Sequence, residues 1–328
     1  MKLVVTIDVE EEGLFRNRYS PHDAPVKNVA ELVSLDPIFR DWGIRPTLLV
    51  TYAVIRSEPC RDLLARLRET WQGEIGAHLH HWNTPPLVPL PYPDPAPSEL
   101  MPVELLSFKL KSLLDAIKIT GKVPTSFRMG RFNLGPRMFS ILEPAGILVD
   151  SSIAPMRAYY GGPNHLTAPT DPYFPDPNCL LASGNSKILE APITIVPMLR
   201  GLGQFLEWFK NRPEIPAKWA PWLAMHLGSL AVQPMWTGLR RLQAGAKLHA
   251  SRGGKVLTIF FHSSELMPGG CPEHQRSEQV DRFRSRLNRF FAWLRREFPL
   301  ESITLAELGE LYRRKEMDRS LRAGAQGL

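Results

Sequence analysis

The stretch EIGAHLHHWNTPP (residues 74–86) is a short apolar run that stops at three histidines, His78, His80 and His81. Residues two apart in an extended strand share a face, so His78 and His80 point one way and His81 the other. Paired imidazoles at a strand end have metal-ligand spacing, and Pro85 and Pro86 stiffen the chain just beyond them. The scattered His22, His165, His226, His249 and His274 lack such company and read as ordinary core or surface residues.

On either side of this stretch, strand and helix patterns alternate. Residues 2–7 form a β-branched run ending at Asp8 and Glu10, which reads as a buried first strand. A helical pattern over 29–42 stops at Gly43 and is followed by a second strand, TLLVTYAVI (47–55). Further helices are predicted at 61–71, 103–119 and 136–143, and further strands at 74–80, 126–128, 147–150, 187–191 and 256–261. Residues 282–298 place Phe283, Leu287, Phe290, Phe291 and Leu294 on one side of an amphipathic helix. The alternation predicts an α/β fold with a parallel sheet, open or closed into a barrel.

With 328 residues, 44% hydrophobic and 22% charged, the chain has ample material for one large core. The economical division is a single domain over 1–315, a helical insertion at about 205–245 and a frayed tail at 316–328. The Trp-rich insertion is broken by Pro213, Pro216, Pro221 and Pro234 and reads as a lid or packing element. The 31 prolines concentrate at 85–102 and 163–177, two candidate active-site loops. A net charge of +7 invites a nucleic-acid partner. The arginines between Arg276 and Arg322, however, alternate with acids as on a solvated helix face, so no nucleic acid is expected. An anionic substrate or a weak membrane-surface association stays open. Cys60, Cys179 and Cys271 are in no paired spacing and read as reduced thiols. The apolar run after Lys2 is too short for a signal peptide, which suggests a cytoplasmic location. No run approaches the length of a membrane span.

A parallel sheet opens all its C-terminal strand ends on one face, where such folds place catalytic groups. Asp8, Glu10, His78, His80, Arg128, Arg131, Asp150 and His262 would meet there. Two imidazoles and a carboxylate are the ligands of many catalytic zinc sites, which polarise a carbonyl and lower the pKa of water. Asp8 is placed to act as base, and His262 to protonate a departing amine.

Five motifs in order, TIDVE, EIGAHLHHW, FRMGRF, ILVDSS and IFFHS, resemble those of the polysaccharide deacetylases that share the NodB-homology domain. The resemblance implies a distorted (β/α) barrel of that type, carrying the helical insertion. It also implies metal-dependent removal of N- or O-linked acyl groups from sugars. Carried over by position, Asp8 is the catalytic base, His78 the first metal histidine and His262 the general acid. Arg128 orients the base, and Asp150 acts on the acid histidine. Two slots depart from the family pattern: Val9 stands where a second aspartate is usual, and Trp82 where the second histidine is usual. The two-residue spacing offers His80 for the missing histidine and either Asp8 or Glu10 for the carboxylate. If the chain turned helical after His78, His81 would be the better partner. The cofactor expected is a divalent metal, zinc first. Trp82, Arg131 and Tyr159 are candidate substrate contacts, for a sugar, a polysaccharide precursor or a glycolipid. The competing readings are an amidase of the same fold for a small non-sugar amide, and a non-catalytic carbohydrate-binding or assembly protein.

Overall fold

The computed structural model describes residues 1–158, 163–212, 216 and 218–326, with side chains to residue 318. The chain runs β1 (Lys2–Val9), α1 (Asp36–Trp42), β2 (Pro46–Val50), α2 (Tyr52–Arg56), α3 (Glu58–Thr70), β3 (Glu74–Leu79), α4 (Val103–Lys118), β4 (Ser126–Met129), α5 (Pro136–Leu142) and β5 (Val149–Asp150). A hairpin of β6 (Pro175–Asp176) and β7 (Cys179–Ser183) precedes β8 (Leu189–Glu190) and β9 (Ile195–Pro197). Then follow α6 (Leu202–Lys210), α7 (Trp219–His226), β10 (Ser229–Ala231), α8 (Leu239–Ser251), β11 (Val256–His262), α9 (Ser277–Glu297), β12 (Glu301–Ser302) and α10 (Leu305–Gln326).

Eight parallel strands curl in the order β11-β1-β2-β3-β4-β5-β8, with β12 beside the start of β1. This is the distorted (β/α) barrel that the resemblance implies. Between β8 and β11 the strands do not pair, and side chains bridge the gap. Thr194 donates its backbone N–H to Thr258 O at 2.9 Å, and its hydroxyl accepts from Thr258 N at 2.8 Å. The buried Gln233 amide accepts from Phe260 N at 2.8 Å and donates to Thr194 O and Thr258 O at 3.2 and 3.3 Å. Gln233 thereby supplies the hydrogen bonds a neighbouring strand would have made to the edge of β11.

Strand alternation sorts the side chains into two layers. Leu3, Val5, Ile7 and Val9 of β1, Ile75, Ala77 and Leu79 of β3, and Leu257, Ile259 and Phe261 of β11 face the helices and form the main core. The other parity faces the barrel interior. Val4, Leu49, Val149, Leu189 and Val256 fill its floor against Ile303, Leu305 and Leu308. Above them, at the C-terminal strand ends, the interior positions become polar: Asp8, His78, Arg128 and His262. Val9 is thus a core residue, which is why the slot after Asp8 holds no ligand.

Four elements differ from the sequence reading. The 29–42 helix is a 3-10 segment (Lys27–Leu35) followed by α1, because Pro37 is tolerated only in a first helical turn. The second strand ends at Val50 with its last partner, Val9, and the apolar residues beyond it coil into α2. The insertion ends before α8, which leads into β11 as an ordinary barrel helix, and Pro221 lies inside the first turn of α7, where it costs no hydrogen bond. The tail continues α10 to Gln326, since 315–325 is rich in good helix formers. Gln233→Leu should leave Phe260 N–H unpaired and lower stability by about 1–3 kcal/mol. A lower urea midpoint at unchanged slope checks this; an unchanged midpoint contradicts it.

Candidate active site

Asp8 closes the inner face of β1, and Glu10 follows two residues on. The Glu10 backbone is pinned: its N–H donates to Ser263 Oγ at 3.2 Å, and its carbonyl accepts from the buried Asn28 Nδ2 at 2.9 Å. His78 and His80 project from the end of β3 toward it. His78 Nε2 and His80 Nε2 are 3.0 Å apart and lie 3.6 and 3.5 Å from Glu10 Oε2. All three side chains are buried.

The hydrogen bonds behind the imidazoles set their tautomers. His78 Nδ1 meets the Arg128 carbonyl at 3.0 Å; a carbonyl only accepts, so Nδ1 carries the proton. His80 Nδ1 meets Glu11 Oε1 at 2.8 Å. Burial alone would raise the Glu11 carboxyl, but His80 and the hydrogen bonds it accepts bring it down to about 2, so it too only accepts. In the neutral form, each ring then turns its Nε2 lone pair toward the other and toward Glu10. With Glu10 ionised, three acceptors without a donor between them repel unless a cation joins them. Ligands of a tetrahedral zinc with bonds near 2.0–2.2 Å lie roughly 3.3 Å apart, close to the edges seen here. Burial holds His78 below the ordinary imidazole range, in the neutral form a ligand needs. Burial, partly offset by His262 and His80 and reinforced by Asp8 and Glu11, pushes Glu10 up to about 7. A divalent cation fits this donor set.

The catalytic pair stands beside the cluster. Asp8 Oδ1 accepts from Arg128 Nη1 at 2.5 Å, while Asp8 Oδ2 lies 3.9 Å from both His78 Nε2 and His262 Nε2. Burial pulls the Asp8 carboxyl up, but Arg128, His78 and His262 together hold it below its ordinary value. Burial likewise opposes charge on His262, yet Glu10, Glu265 and Asp8 raise it to about 9. At neutral pH the site thus contains a carboxylate and an imidazolium facing each other. His262 Nδ1 is held by Glu265 Oε1 at 2.6 Å.

Several assigned residues lie elsewhere. Asp150 pairs in register with Phe127, on the outer face of the sheet, where Ser152 and Glu190 hold it; the partner of His262 is Glu265. The inner position next to Arg128 belongs to Ser151, whose carbonyl and hydroxyl accept from Arg128 Nε and Nη2 at 2.7 and 2.8 Å. Trp82 is a buried brace and offers no platform for a sugar. It stacks on His80 at 4.3 Å and donates its indole N–H to Glu11 at 2.9 Å. His81 is turned away from the cluster, 3.7 Å from Asp94. Arg131 lines the cavity, from a left-handed backbone position at φ 60°. Tyr159 lies outside the described residues. The cavity, about 300 Å³, is walled by Phe15, Phe132, Phe260 and Trp236, with Pro95, Pro97 and Pro163 contributed by the two proline-rich loops. Sequence reasoning missed Glu11, Ser151, Trp236 and Glu265. The one available signal was the acid run Glu10-Glu11-Glu12 beside a strand end.

The convergence of Glu10, His78 and His80 predicts that Glu10→Ala, His78→Ala and His80→Ala each lower zinc affinity at least about tenfold, whereas His81→Ala leaves it unchanged. Calorimetric titration of the stripped protein measures this. Full affinity in the His80 variant would remove that ligand.

No family model matches the chain, and no curated protein matches it. Solved structures do. A Mycobacterium smegmatis chain assigned as a polysaccharide deacetylase is 16% identical, with TM-score 0.55 over 96% of this chain and 91% of that one. A Parabacteroides distasonis chain assigned as a glycoside hydrolase/deacetylase is 13% identical, with TM-score 0.64 over 95% and 71%. The 4-alpha-glucanotransferase of Thermococcus litoralis, 14% identical, aligns at TM-score 0.51 over 94% of this chain and 40% of its own. That a transferase aligns as well shows that the barrel does not by itself choose the reaction. The chain has the fold of the NodB-type polysaccharide deacetylases.

Proposed function

We propose that this protein is a metal-dependent hydrolase that removes acyl groups, acetyl foremost, from an acylated sugar. The observation that carries the reading is the position of Asp8 Oδ2, at 3.9 Å from His78 Nε2 in the cation-type cluster and at 3.9 Å from His262 Nε2. Base, acid and metal ligands converge on one small cavity.

Glu10, His78 and His80 would hold the metal. A divalent metal there supplies Lewis acidity, drawing charge from the acyl carbonyl and making a water easier to deprotonate. The rest is work for the chain's own residues. Asp8 Oδ2 accepts the proton of the water as its oxygen bonds to the acyl carbon. Arg128 keeps Oδ1 occupied, so only Oδ2 faces the reacting atoms. As the C–N bond breaks, His262 Nε2 gives its proton to the nitrogen, and Glu265 on Nδ1 keeps that face of the ring turned to the cavity. The products are a carboxylic acid and an amine. The aromatic walls exclude water and suit the apolar face of a sugar ring, and Arg131 at the rim suits a hydroxyl or an anionic substituent.

The test is acetate release by the zinc-loaded protein from N-acetylated sugars. Asp8→Asn and His262→Asn should each lower kcat roughly 10²–10⁴-fold. Release from small amides alone would favour the amidase reading, and no release from either would remove the enzymatic one. The raised pKa of His262 keeps its proton through neutral pH and loses it as pH climbs toward about 9. Glu265→Gln removes a charge that raises this pKa. The alkaline limb of kcat/KM should therefore move to lower pH by about one unit; an unmoved limb would deny Glu265 this role.

A further inference from the structure

Helices α6 and α7 are built inside out. On α7 the small Ala220 and Ala224 face the protein, while Trp219, Trp222 and Met225 face outward at 50%, 48% and 46% exposure. On α6, Gly203 and Leu206 are buried, and Phe205 and Trp208 stand 53% and 54% exposed. Leu206, Ala220 and Ala224 sit on one apolar cluster, so the outer faces of both helices look away from the barrel. Leu199 and Leu227 extend the same exposed apolar character beyond the helix ends. Large apolar side chains exposed together on two helices packed against each other mark a binding face.

Charge indicates what covers it. Arg200, Lys210, Arg212 and Lys218 fall within the segment, with Glu207 and Glu214 its only acids, and Arg240 and Arg241 open α8 just after it. Arg212 lies 4.2 Å over the Trp208 ring, a cation and an indole side by side. A second copy seated on this face would set those cations against their own kind. Aromatics with long aliphatics and a basic margin are the composition of a segment lying in a bilayer interface. No helix among the described residues is long and apolar enough to cross a membrane.

The face adjoins the catalytic cavity. Trp236 lines that cavity and also a second one of about 320 Å³, whose wall includes Met225 and His226 of α7. Phe260, behind Trp236, belongs both to the catalytic wall and to the cluster that seats α6 and α7. We propose that the outer face of α6 and α7 docks the protein on an anionic lipid surface, with the mouth of the catalytic cavity beside that surface. The docking stands without the deacylase reading. Its consequence, a substrate sugar carried on a lipid, rests on that reading.

Flotation of the full chain with vesicles of phosphatidylglycerol and phosphatidylcholine tests the proposal. Binding is expected at low salt, and should weaken about tenfold or more in pure phosphatidylcholine or at about 1 M salt. Trp208→Ser combined with Trp222→Ser should reduce binding about tenfold or more and leave zinc affinity and turnover of a soluble substrate unchanged. In the parent protein, lipids brominated on their acyl chains should quench tryptophan fluorescence, a readout that needs no variant. Absence of binding at low salt, equal binding by the double variant, or a Trp-dependent dimer without vesicle binding would each overturn it. A protein that floats but releases no acetate would defeat the deacylase reading and leave the docking intact.

Discussion

Arg128 is fully buried, and a guanidinium cut off from water must find every acceptor inside the protein. It finds Asp8 on β1 and the carbonyl and hydroxyl of Ser151 just past β5, while the Phe132 and Phe260 rings cover it at 5.3 and 5.4 Å. One side chain thus ties three strand ends together across the barrel mouth. Its own carbonyl holds His78. Such a pair is weak as a source of stability, because the desolvation of both ions roughly cancels their attraction. Its value lies in position: Asp8 is kept ionised and fixed, with one oxygen neutralised and the other free at the cavity.

Around that anchor, a further cation would be matched by the ionisation of Glu10. Asp8, Glu10 and Glu11 bring three carboxyls into a buried space with Arg128 and a protonated His262, and Glu10 responds by holding its proton up to about 7. Two imidazoles turn their Nε2 atoms toward the same point. Glu11 makes this arrangement rigid, taking hydrogen bonds from His80, Trp82, Asn83 and Thr51. Trp82 stands where the usual second ligand would, and serves the replacement: it stacks on His80 and shares its carboxylate.

Much of this was legible in the sequence because period-two alternation is long enough to see in β1 and β3. It separates Asp8 and Glu10 from Val9, and His78 and His80 from His81. Where a strand is only two residues long, as β5 is, there is no pattern to count, and Asp150 was placed on the wrong face while Ser151 held the site position. Glu265 was missed because its link to His262 depends on a 3-10 turn after β11, which leaves no periodic mark. Trp82 read as a substrate contact because burial is a tertiary property, and here its indole turns inward to a carboxylate just past another strand end. Gln233 closes a gap between strands that do not pair, and nothing local in its sequence announces that.

Anomalous diffraction from crystals soaked with zinc tests the central claim most directly, since it locates the metal independently of activity. The account predicts one strong peak within bonding distance of Glu10 Oε2, His78 Nε2 and His80 Nε2, with Asp8 still paired to Arg128. A peak bound by His81, or by Asp8 freed from Arg128 with Glu10 left out, or no peak at all, would contradict it.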